Sequence, residues 1–348
     1  MVCIDPGFVV PGIPENEKYE GTEVDANVRK ALPEGTTIKW AKTFVASFWA
    51  MSSKIDAVLP SGEEQSYFLK VHNPGLISTR ELLSVIPNNV PQVVAHGPCA
   101  SKPGRAFFLA EFRDMRDELP SASDLVSVVA AIHTKTSPNG KFGYPVTTFS
   151  GKHPMDTRWC DTWEEYFRRC MKDTMEAELA TQGPNLELQE LSGKILTKVV
   201  PRLIRPMETG GRKITPVLVH GDLWHGNVSV DEKTKVPVLY DPCCFYGHNE
   251  YDFSMWRATR YLTSREHVDE YFKTNDRSEP QEDQDDRHAL YALRSDLAVS
   301  VLWPENKDMR ELAIQEMQRL VAKYGDGYEG YIAAQGKLNA AEADGVGN

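Results

Sequence analysis

The side chains best placed to do chemistry stand in one short stretch of the chain. An Asp-x-x-x-x-Asn run, from Asp222 to Asn227, is followed fourteen residues later by Asp241. An alcohol that attacks a γ-phosphoryl group needs a carboxylate to orient it and accept its proton, and the triphosphate needs a divalent cation held by hard oxygen ligands. We therefore predict that Asp222 is the catalytic base and that Asn227 and Asp241 bind Mg2+, in an enzyme that uses ATP.

The loop that carries the predicted base follows a short apolar run. Residues 217–219 (VLV) lead into His220 and Gly221, so Asp222 would lie where a buried strand opens into a loop. Such a position holds a side chain firmly on a rigid scaffold. His220 is predicted to brace the loop by hydrogen bonding and not to transfer protons.

A hairpin is predicted between the two metal ligands. Residues 228–230 and 236–240 are apolar or β-branched and flank a polar five-residue turn, Asp231-Glu232-Lys233-Thr234-Lys235. A turn of this kind reverses the chain, so the hairpin would return Asp241 to the neighbourhood of Asn227.

Upstream of this region, the sequence has the pattern of an antiparallel sheet. Residues 36–71 are rich in β-branched and aromatic types, with a turn at Ser61-Gly62, and residues 107–112 (FFLAEF) indicate a further buried strand. Lys70 ends an alternating apolar run in this sheet. We predict that it extends from its strand and binds the α- and β-phosphates of ATP.

Two other segments of the sheet are predicted to contact the nucleotide. A phosphate-covering loop would lie in residues 44–49, where glycine is absent, so that backbone N–H groups around Ala46 and Ser47 would bind phosphate. The segment Glu111-Phe112-Arg113 would be the hinge that offers backbone groups to adenine, by its position alone. No GxxxxGK[ST] motif occurs, which excludes a Walker-type loop.

Aromatic and polar residues surround the predicted metal ligands in sequence. They are Trp224, His225, Tyr246, His248 and Glu250. A sugar needs hydrogen bonds and flat apolar faces, so these residues are predicted to bind a polyhydroxylated acceptor. Two alternatives stay open: Trp224 and Tyr246 could simply pack the loop, and Glu250 could stabilise the start of the helix-like run that follows it.

Composition limits the class of protein and its partners. The net charge of −11 argues against nucleic acid or an anionic membrane as a partner. The six cysteines lack metal-ligand spacing, and neither a signal peptide nor an apolar run of membrane length is visible. We therefore expect a folded protein in a reducing cytoplasmic compartment.

The chain divides into four parts by pattern, and helical periodicity prevails after Met115. The predicted parts are an irregular lead-in (1–20), an N-terminal nucleotide-binding lobe (21–115), a C-terminal catalytic and substrate lobe (116–328) and a disordered tail (329–348).

Several long runs resemble the fructosamine-3-kinase family, most closely its fungal protein-ribulosamine 3-kinase members. The runs are HGDLWHGN (220–227), YDPCCFYGHNEYD (240–252), SPNGKFGYPVTT (137–148), VVPRLIRP (199–206) and DDRHALYALR (285–294). The resemblance covers residues 36–324. It implies an α+β, bilobal, protein-kinase-like fold of the aminoglycoside-phosphotransferase type, with a small β-rich N-lobe and a large helical C-lobe.

The resemblance also implies an activity and roles for single residues. The family uses ATP and Mg2+ to phosphorylate the sugar 3-hydroxyl of ketosamines (ribulosamine, and possibly fructosamine) on protein lysines, which promotes deglycation. Asp222 would accept the hydroxyl proton, Asn227 and Asp241 would hold magnesium, Lys70 would bind phosphate, and residues 111–113 would form the hinge. The expected partners are glycated proteins or ketosamine–lysine adducts, and the expected state is a monomer or a weak homodimer.

The chain departs from the family in two places. The segment 72–92 looks several residues short, and its single acid, Glu81, lies off the register expected for a glutamate that pairs with Lys70. This departure motivates one alternative, a catalytically impaired kinase-like protein that binds nucleotide or glycated protein. A separate alternative is a small-molecule alcohol kinase of the same fold. Several relatives carry a cysteine in the phosphate loop; this chain has Ala46 and Ser47, so we predict no disulfide-linked redox switch.

Overall fold

The computed structural model describes residues 19–46, 50–72, 79–116 and 118–345, without side chains at 45, 46 and 338–345. The chain forms two units that alternate along the sequence. The first comprises 1–132, 147–154 and 222–244, and the second comprises 133–146, 155–221 and 245–348. All the residues predicted to serve as base, metal ligands and nucleotide contacts belong to the first unit.

The strands and helices are as follows in chain order. The strands are β1 (Glu20–Gly21), β2 (Thr37–Ala46), β3 (Ala50–Val58), β4 (Glu64–His72), β5 (Val93–Pro98), β6 (Ala106–Glu111), β7 (Met115–Arg116), β8 (Phe149–Ser150), β9 (His153–Pro154), β10 (Val217–Val219), β11 (Val228–Asp231), β12 (Pro237–Leu239) and β13 (Phe245–Gly247). The helices are α1 (Ala26–Ala31), α2 (Thr79–Leu83), α3 (Ala122–His133), α4 (Trp163–Gln182), α5 (Leu186–Lys194), α6 (Val200–Ile204), α7 (Arg265–Tyr271), α8 (Gln284–Leu302), α9 (Asp308–Tyr324) and α10 (Gly327–Gly345).

The main sheet of the first unit has the strand order β1-β2-β3-β4-β6-β5, and its paired strands are antiparallel. This confirms the predicted meander and the predicted strand at 107–112. Alternation along β4 places Leu69 and Val71 in a core that also contains Val28 of α1. Lys70 stands between Leu69 and Val71, so it projects from the opposite face of the sheet.

A smaller sheet of the first unit carries the predicted hairpin. Its strand order is β12-β11-β7, with both pairs antiparallel. The turn is closed by Asp231, whose Oδ1 accepts hydrogen bonds from the backbone N–H groups of Lys233 (3.0 Å) and Thr234 (2.7 Å). Lys235 adopts a left-handed conformation (φ 61°) at the end of this turn. Asn227 and Asp241 thus stand just outside the two ends of a fixed hairpin.

The second unit is mainly helical and is built around α8. This helix packs against α4, α9 and a 3-10 segment at Asn249–Arg257. Trp163 and Phe167 of α4 are fully buried and form part of its core-facing side. The long helices α8 and α9 agree with the helical periodicity that prevails after Met115 in the sequence. Among the described residues, every helix is too short or too polar to span a bilayer.

The end of the chain differs from the sequence prediction. Residues 329–348 were expected to be disordered, but α10 continues the chain as a helix. The rings of Tyr328 and Tyr331 lie over the guanidinium groups of Arg205 (4.9 Å) and Arg202 (4.5 Å). These cation–π contacts and an alanine-rich composition favour the helix, although its apolar content is low.

Candidate active site

Asn227 links the predicted base to the second predicted metal ligand. Its side-chain Nδ2 donates to the backbone oxygen of Asp222 (2.8 Å), to Oδ2 of Asp222 (3.0 Å) and to the backbone oxygen of Asp241 (3.4 Å). The residue is 5% exposed. Because Nδ2 is committed to these acceptors, the amide Oδ1 is the atom of Asn227 suited to coordinate a cation.

Asp241 and Lys70 form an ion pair beside this linkage. Lys70 Nζ lies 2.5 Å from Asp241 Oδ2, and the two side chains are 11% and 47% exposed. Asp241 has φ 53°, a left-handed backbone conformation that residues other than glycine rarely adopt. The backbone N–H of Tyr240 donates to the oxygen of Asn227 (3.1 Å) and fixes the return of the hairpin. The structure thus brings together the four side chains predicted for proton transfer, metal and phosphate.

A buried carboxylate of the second unit fixes the backbone just before Asp222. Asp252 accepts hydrogen bonds from the backbone N–H groups of His220 (2.8 Å) and Gly221 (2.7 Å), and it contacts His133 Nε2 (3.1 Å). The sequence analysis missed Asp252. The available signal was an acid between two aromatic residues, Tyr251 and Phe253, and such an acid needs donors when it is buried.

Trp224 and His225 lie in the loop between Asp222 and Asn227, and both are partly exposed. Their ring centroids are 5.0 Å apart in an edge-to-face arrangement. The Trp224 indole lies directly over Gly226, where an added Cβ would stand 2.5 Å from Cζ2. A glycine is therefore required at this position for the indole to keep its orientation.

His248 and Glu250, predicted to contact the acceptor, are each 1% exposed in the second unit. His248 contacts the hydroxyl oxygens of Tyr291 (Nδ1, 3.0 Å) and Ser278 (Nε2, 2.8 Å). Glu250 pairs with Arg287 (3.1 Å) and accepts a hydrogen bond from the backbone N–H of Ser278 (3.0 Å). Burial lowers the pKa of His248 to about 4. Both side chains are therefore used in buried contacts within the second unit.

Tyr246, named with them in the sequence analysis, is also buried. Its ring stacks on Trp159, with centroids 6.1 Å apart. Of the two roles left open for Tyr246, acceptor binding and packing, the structure shows packing.

The predicted hinge has part of its backbone committed to the main sheet. The N–H of Glu111 donates to the oxygen of Gln92 (2.9 Å), and the N–H of Phe112 donates to the oxygen of Ser66 (3.1 Å). These two N–H groups are therefore engaged within the sheet. A base contact at this hinge would involve other backbone groups, such as the N–H of Arg113.

An aromatic group stands beside the hinge. Phe44 packs edge-to-face on Phe68 (6.3 Å between centroids) and on Phe112 (6.1 Å), and Lys54 Nζ lies 4.8 Å from the centroid of the Phe112 ring. Phe68 precedes Lys70 by two positions, so both project from the same face of β4. This face offers flat apolar surface near Lys70, the lysine predicted to bind phosphate.

Of the two predicted phosphate-loop positions, one is described by its backbone alone and the other is not described. Ala46 ends β2 and pairs with Met51, but its side chain lies outside the described residues, as does Ser47. Glu81 lies in the first turn of α2, a helix of five residues. Within the described residues, Lys70 forms an ion pair with Asp241.

The donor set suits Mg2+ bound together with phosphates. Within the described ranges, no group of three or more His, Cys, Asp or Glu side chains comes together to hold a metal alone. Magnesium in kinases is held by one or two protein oxygen ligands, with phosphate oxygens and water completing the shell. Asn227 and Asp241, which are neighbours here, supply such ligands.

Comparison with known proteins identifies a family. Residues 51–323 match the family model described as fructosamine kinase. The chain is 27% identical over 188 residues to the chloroplastic protein-ribulosamine 3-kinase of Arabidopsis thaliana, covering 54% of this chain and 55% of that protein. It is 34% identical over 115 residues to the ketosamine-3-kinase of Mus musculus, covering 33% and 35%. The matches thus span about half or less of these relatives.

Solved structures show the same fold. A crystal structure of a candidate fructosamine-3-kinase from Haemophilus somnus has a TM-score of 0.65 at 17% identity, covering 82% of this chain and 92% of that one. The aminoglycoside phosphotransferase APH(4)-Ia, in a ternary complex with AMP-PNP and hygromycin B, has a TM-score of 0.54 at 16% identity, covering 85% and 98%. The predicted α+β kinase-like fold is confirmed.

Proposed function

Since the chain belongs to the fructosamine kinase family, we propose that it transfers the γ-phosphoryl group of ATP to the 3-hydroxyl of ketosamines. The proposed substrates are ribulosamine, and possibly fructosamine, on the lysines of glycated proteins or as free lysine adducts. Phosphorylation at this position makes the adduct labile and so promotes deglycation. The observation that carries the proposal is the convergence of Asp222, Asn227, Asp241 and Lys70 in one unit.

Each of these side chains has a proposed role in phosphoryl transfer. Asp222 orients the attacking hydroxyl and takes its proton, while its hydrogen bond from Asn227 holds the carboxylate in place. Lys70 binds the α- and β-phosphates. Asn227 Oδ1 and Asp241 would hold Mg2+, which neutralises phosphate charge when bound.

The nucleotide and the acceptor would meet the remaining predicted residues. We propose that the hinge Glu111-Phe112-Arg113 contacts adenine and that the loop at Ala46 and Ser47 covers the phosphates. Trp224 and His225 would contact the sugar, because they are partly exposed in the loop that begins at Asp222. His248 and Glu250 are buried, so they would affect acceptor binding only indirectly, by stabilising the segments that they contact.

The proposed setting is a cytoplasmic monomer or weak homodimer that binds neither nucleic acid nor membranes. The described cysteines, Cys99, Cys160, Cys170, Cys243 and Cys244, are buried free thiols. Free thiols of this kind suit a reducing compartment.

The test is magnesium-dependent ATP turnover by the purified chain with ribulose–lysine, with fructose–lysine and without acceptor. We expect turnover with an adduct, and a loss of about 100-fold or more in Asp222→Asn with nucleotide binding retained, since the base alone is removed. Comparable activity in the variant would contradict the assignment of the base.

A second candidate is the catalytically impaired nucleotide-binding protein, and the segment 72–92, which looks several residues short in sequence, favours it. This candidate predicts that the wild-type chain binds ATP but turns over neither adduct. Turnover with an aminoglycoside or a simple amino alcohol, and not with either adduct, would instead indicate a small-molecule alcohol kinase.

A further inference from the structure

The outer edge of β12 is covered by one residue, Asn89. The backbone N–H of Leu239 donates to the backbone oxygen of Asn89 (2.8 Å), and Asn89 Nδ2 donates to the backbone oxygen of Pro237 (2.8 Å). The backbone groups of successive residues in a strand point to opposite sides. The N–H of Tyr240 points toward β11 and donates to Asn227, so the N–H of Leu239 and the carbonyl of Pro237 point away from β11. Asn89 therefore satisfies this edge of the strand as a further strand would.

The segment that carries Asn89 is itself fixed to the end of β6. Arg113 Nη1 donates to the backbone oxygen of Asn88 (2.7 Å), and Arg113 Nη2 donates to that of Val90 (3.2 Å). The same guanidinium pairs with Glu111 (2.5 Å). The guanidinium thus donates hydrogen bonds to the carbonyls on both sides of Asn89. The fully buried side chain of Val90 fixes the segment further by packing.

The hairpin with the proposed metal ligands is consequently supported along both edges. Its β11 edge pairs with β7, and its β12 edge meets Asn89. Asn227 directly precedes β11, and Asp241 follows the end of β12 by two residues. A displacement of β12 would therefore alter the separation between Asn227 and Asp241.

We propose that Asn89 is a positioning residue for the pair of magnesium ligands. The inference rests on the proposed function in one respect, since it takes Asn227 and Asp241 as the ligands of magnesium bound to ATP. The side-chain amide of Asn89 holds β12 at the distance from β11 at which both oxygen ligands reach one cation. Octahedral magnesium tolerates little error in that distance.

The chain offers a matched control for a test. Asn88 is the same residue type one position earlier, but its side chain is exposed, and it is its backbone carbonyl that accepts a hydrogen bond from Arg113. The variants are Asn89→Ala, which removes the donor, and Asn89→Asp, which keeps the volume and replaces the donor by a charged acceptor facing a carbonyl. Asn88→Ala is the control.

The measurements are the affinity for AMP-PNP by calorimetry with and without Mg2+, and the melting temperature. We expect Asn89→Ala to weaken binding in Mg2+ by about threefold to tenfold, the equivalent of one hydrogen bond. Asn89→Asp should lose at least as much. Without Mg2+, both variants should bind within about twofold of wild type, which also shows that they are folded. Asn88→Ala should resemble wild type throughout.

Two results with the variants would overturn this inference alone. One is equal magnesium-dependent binding by Asn89→Ala and Asn88→Ala. The other is an equal loss with and without Mg2+ in both Asn89 variants, which would make the residue merely structural. A wild-type chain whose nucleotide affinity ignores Mg2+ would overturn this inference and the metal site together. Normal magnesium-dependent binding without ketosamine turnover would count only against the proposed function.

Discussion

Asp241 combines an ion pair with a proposed metal-binding role. Its carboxylate lies against Lys70, in a left-handed backbone conformation that costs roughly 1–3 kcal/mol when the residue is not glycine. Structures keep such conformations where the surroundings fix them, and the hydrogen bond from Asn227 to the Asp241 backbone oxygen is one such constraint. Position and chemistry both indicate a functional residue.

We predict that Asp241→Ala loses the magnesium-dependent part of nucleotide affinity, by about tenfold or more, because a ligand contributes at least as much as the outer residues that orient it. Calorimetry with ATP in the presence and absence of Mg2+ measures this. Glu232→Ala is the control, since Glu232 is an exposed acid in the turn of the same hairpin. Unchanged affinity for magnesium-bound ATP in Asp241→Ala would mean that another residue is the ligand.

A substitution at Gly226 tests whether the orientation of the Trp224 indole matters for acceptor binding. A methyl group at this position would collide with the indole, so we predict that Gly226→Ala turns the ring and raises KM for the ketosamine by about threefold to tenfold. KM for ATP should change little. Trp224→Ala should raise the acceptor KM similarly, and the double variant should be no worse than Trp224→Ala alone, because the collision is then absent. Additive losses would show that Gly226 acts independently of the indole.

At the scale of elements, the junction between β10 and the loop at Asp222 depends on Asp252. We predict that Asp252→Asn lowers stability by about 1–3 kcal/mol, because an amide N–H would face the backbone donors of His220 and Gly221. Since Asp222 follows Gly221 directly, kcat should fall more than nucleotide affinity does. Denaturant unfolding and steady-state kinetics measure the two effects. Asp285→Asn, which removes an exposed acid, is the control; equal effects on kcat would contradict the role given to Asp252.

Local pattern was sufficient to predict the elements that carry the site. Alternation identified the strand of Lys70, and β-branched runs around a polar turn identified the hairpin between Asn227 and Asp241. Asp252 and Asn89 escaped prediction because their partners are backbone groups far along the chain, which have no residue type to recognise.

At the scale of the whole molecule, buried titratable groups decide how stability depends on pH. Burial lowers the pKa values of His248 and His288 to about 4, and each imidazole contacts an oxygen atom in the second unit. In the first unit, burial tends to raise the pKa of Asp25, but hydrogen bonds from Ser101 and Ala100 outweigh it and lower that pKa to about 2. The histidines and the carboxylate therefore act in different pH windows.

The histidines should make the chain lose stability on mild acidification. Between pH 6.5 and 4 the unfolded chain binds protons that the folded chain excludes, so the free energy of unfolding falls as pH falls through this window. A shift from 6.5 to about 4 corresponds to roughly 3 kcal/mol for each histidine when fully developed. We predict that His288→Gln, which can still donate to the backbone oxygen of Phe253, flattens the decline in melting temperature between pH 7 and pH 5. The loss of stability due to Asp25 should appear only below about pH 4, as its carboxylate begins to protonate in the unfolded chain. An unaltered slope in His288→Gln would show that His288 is not a source of acid sensitivity.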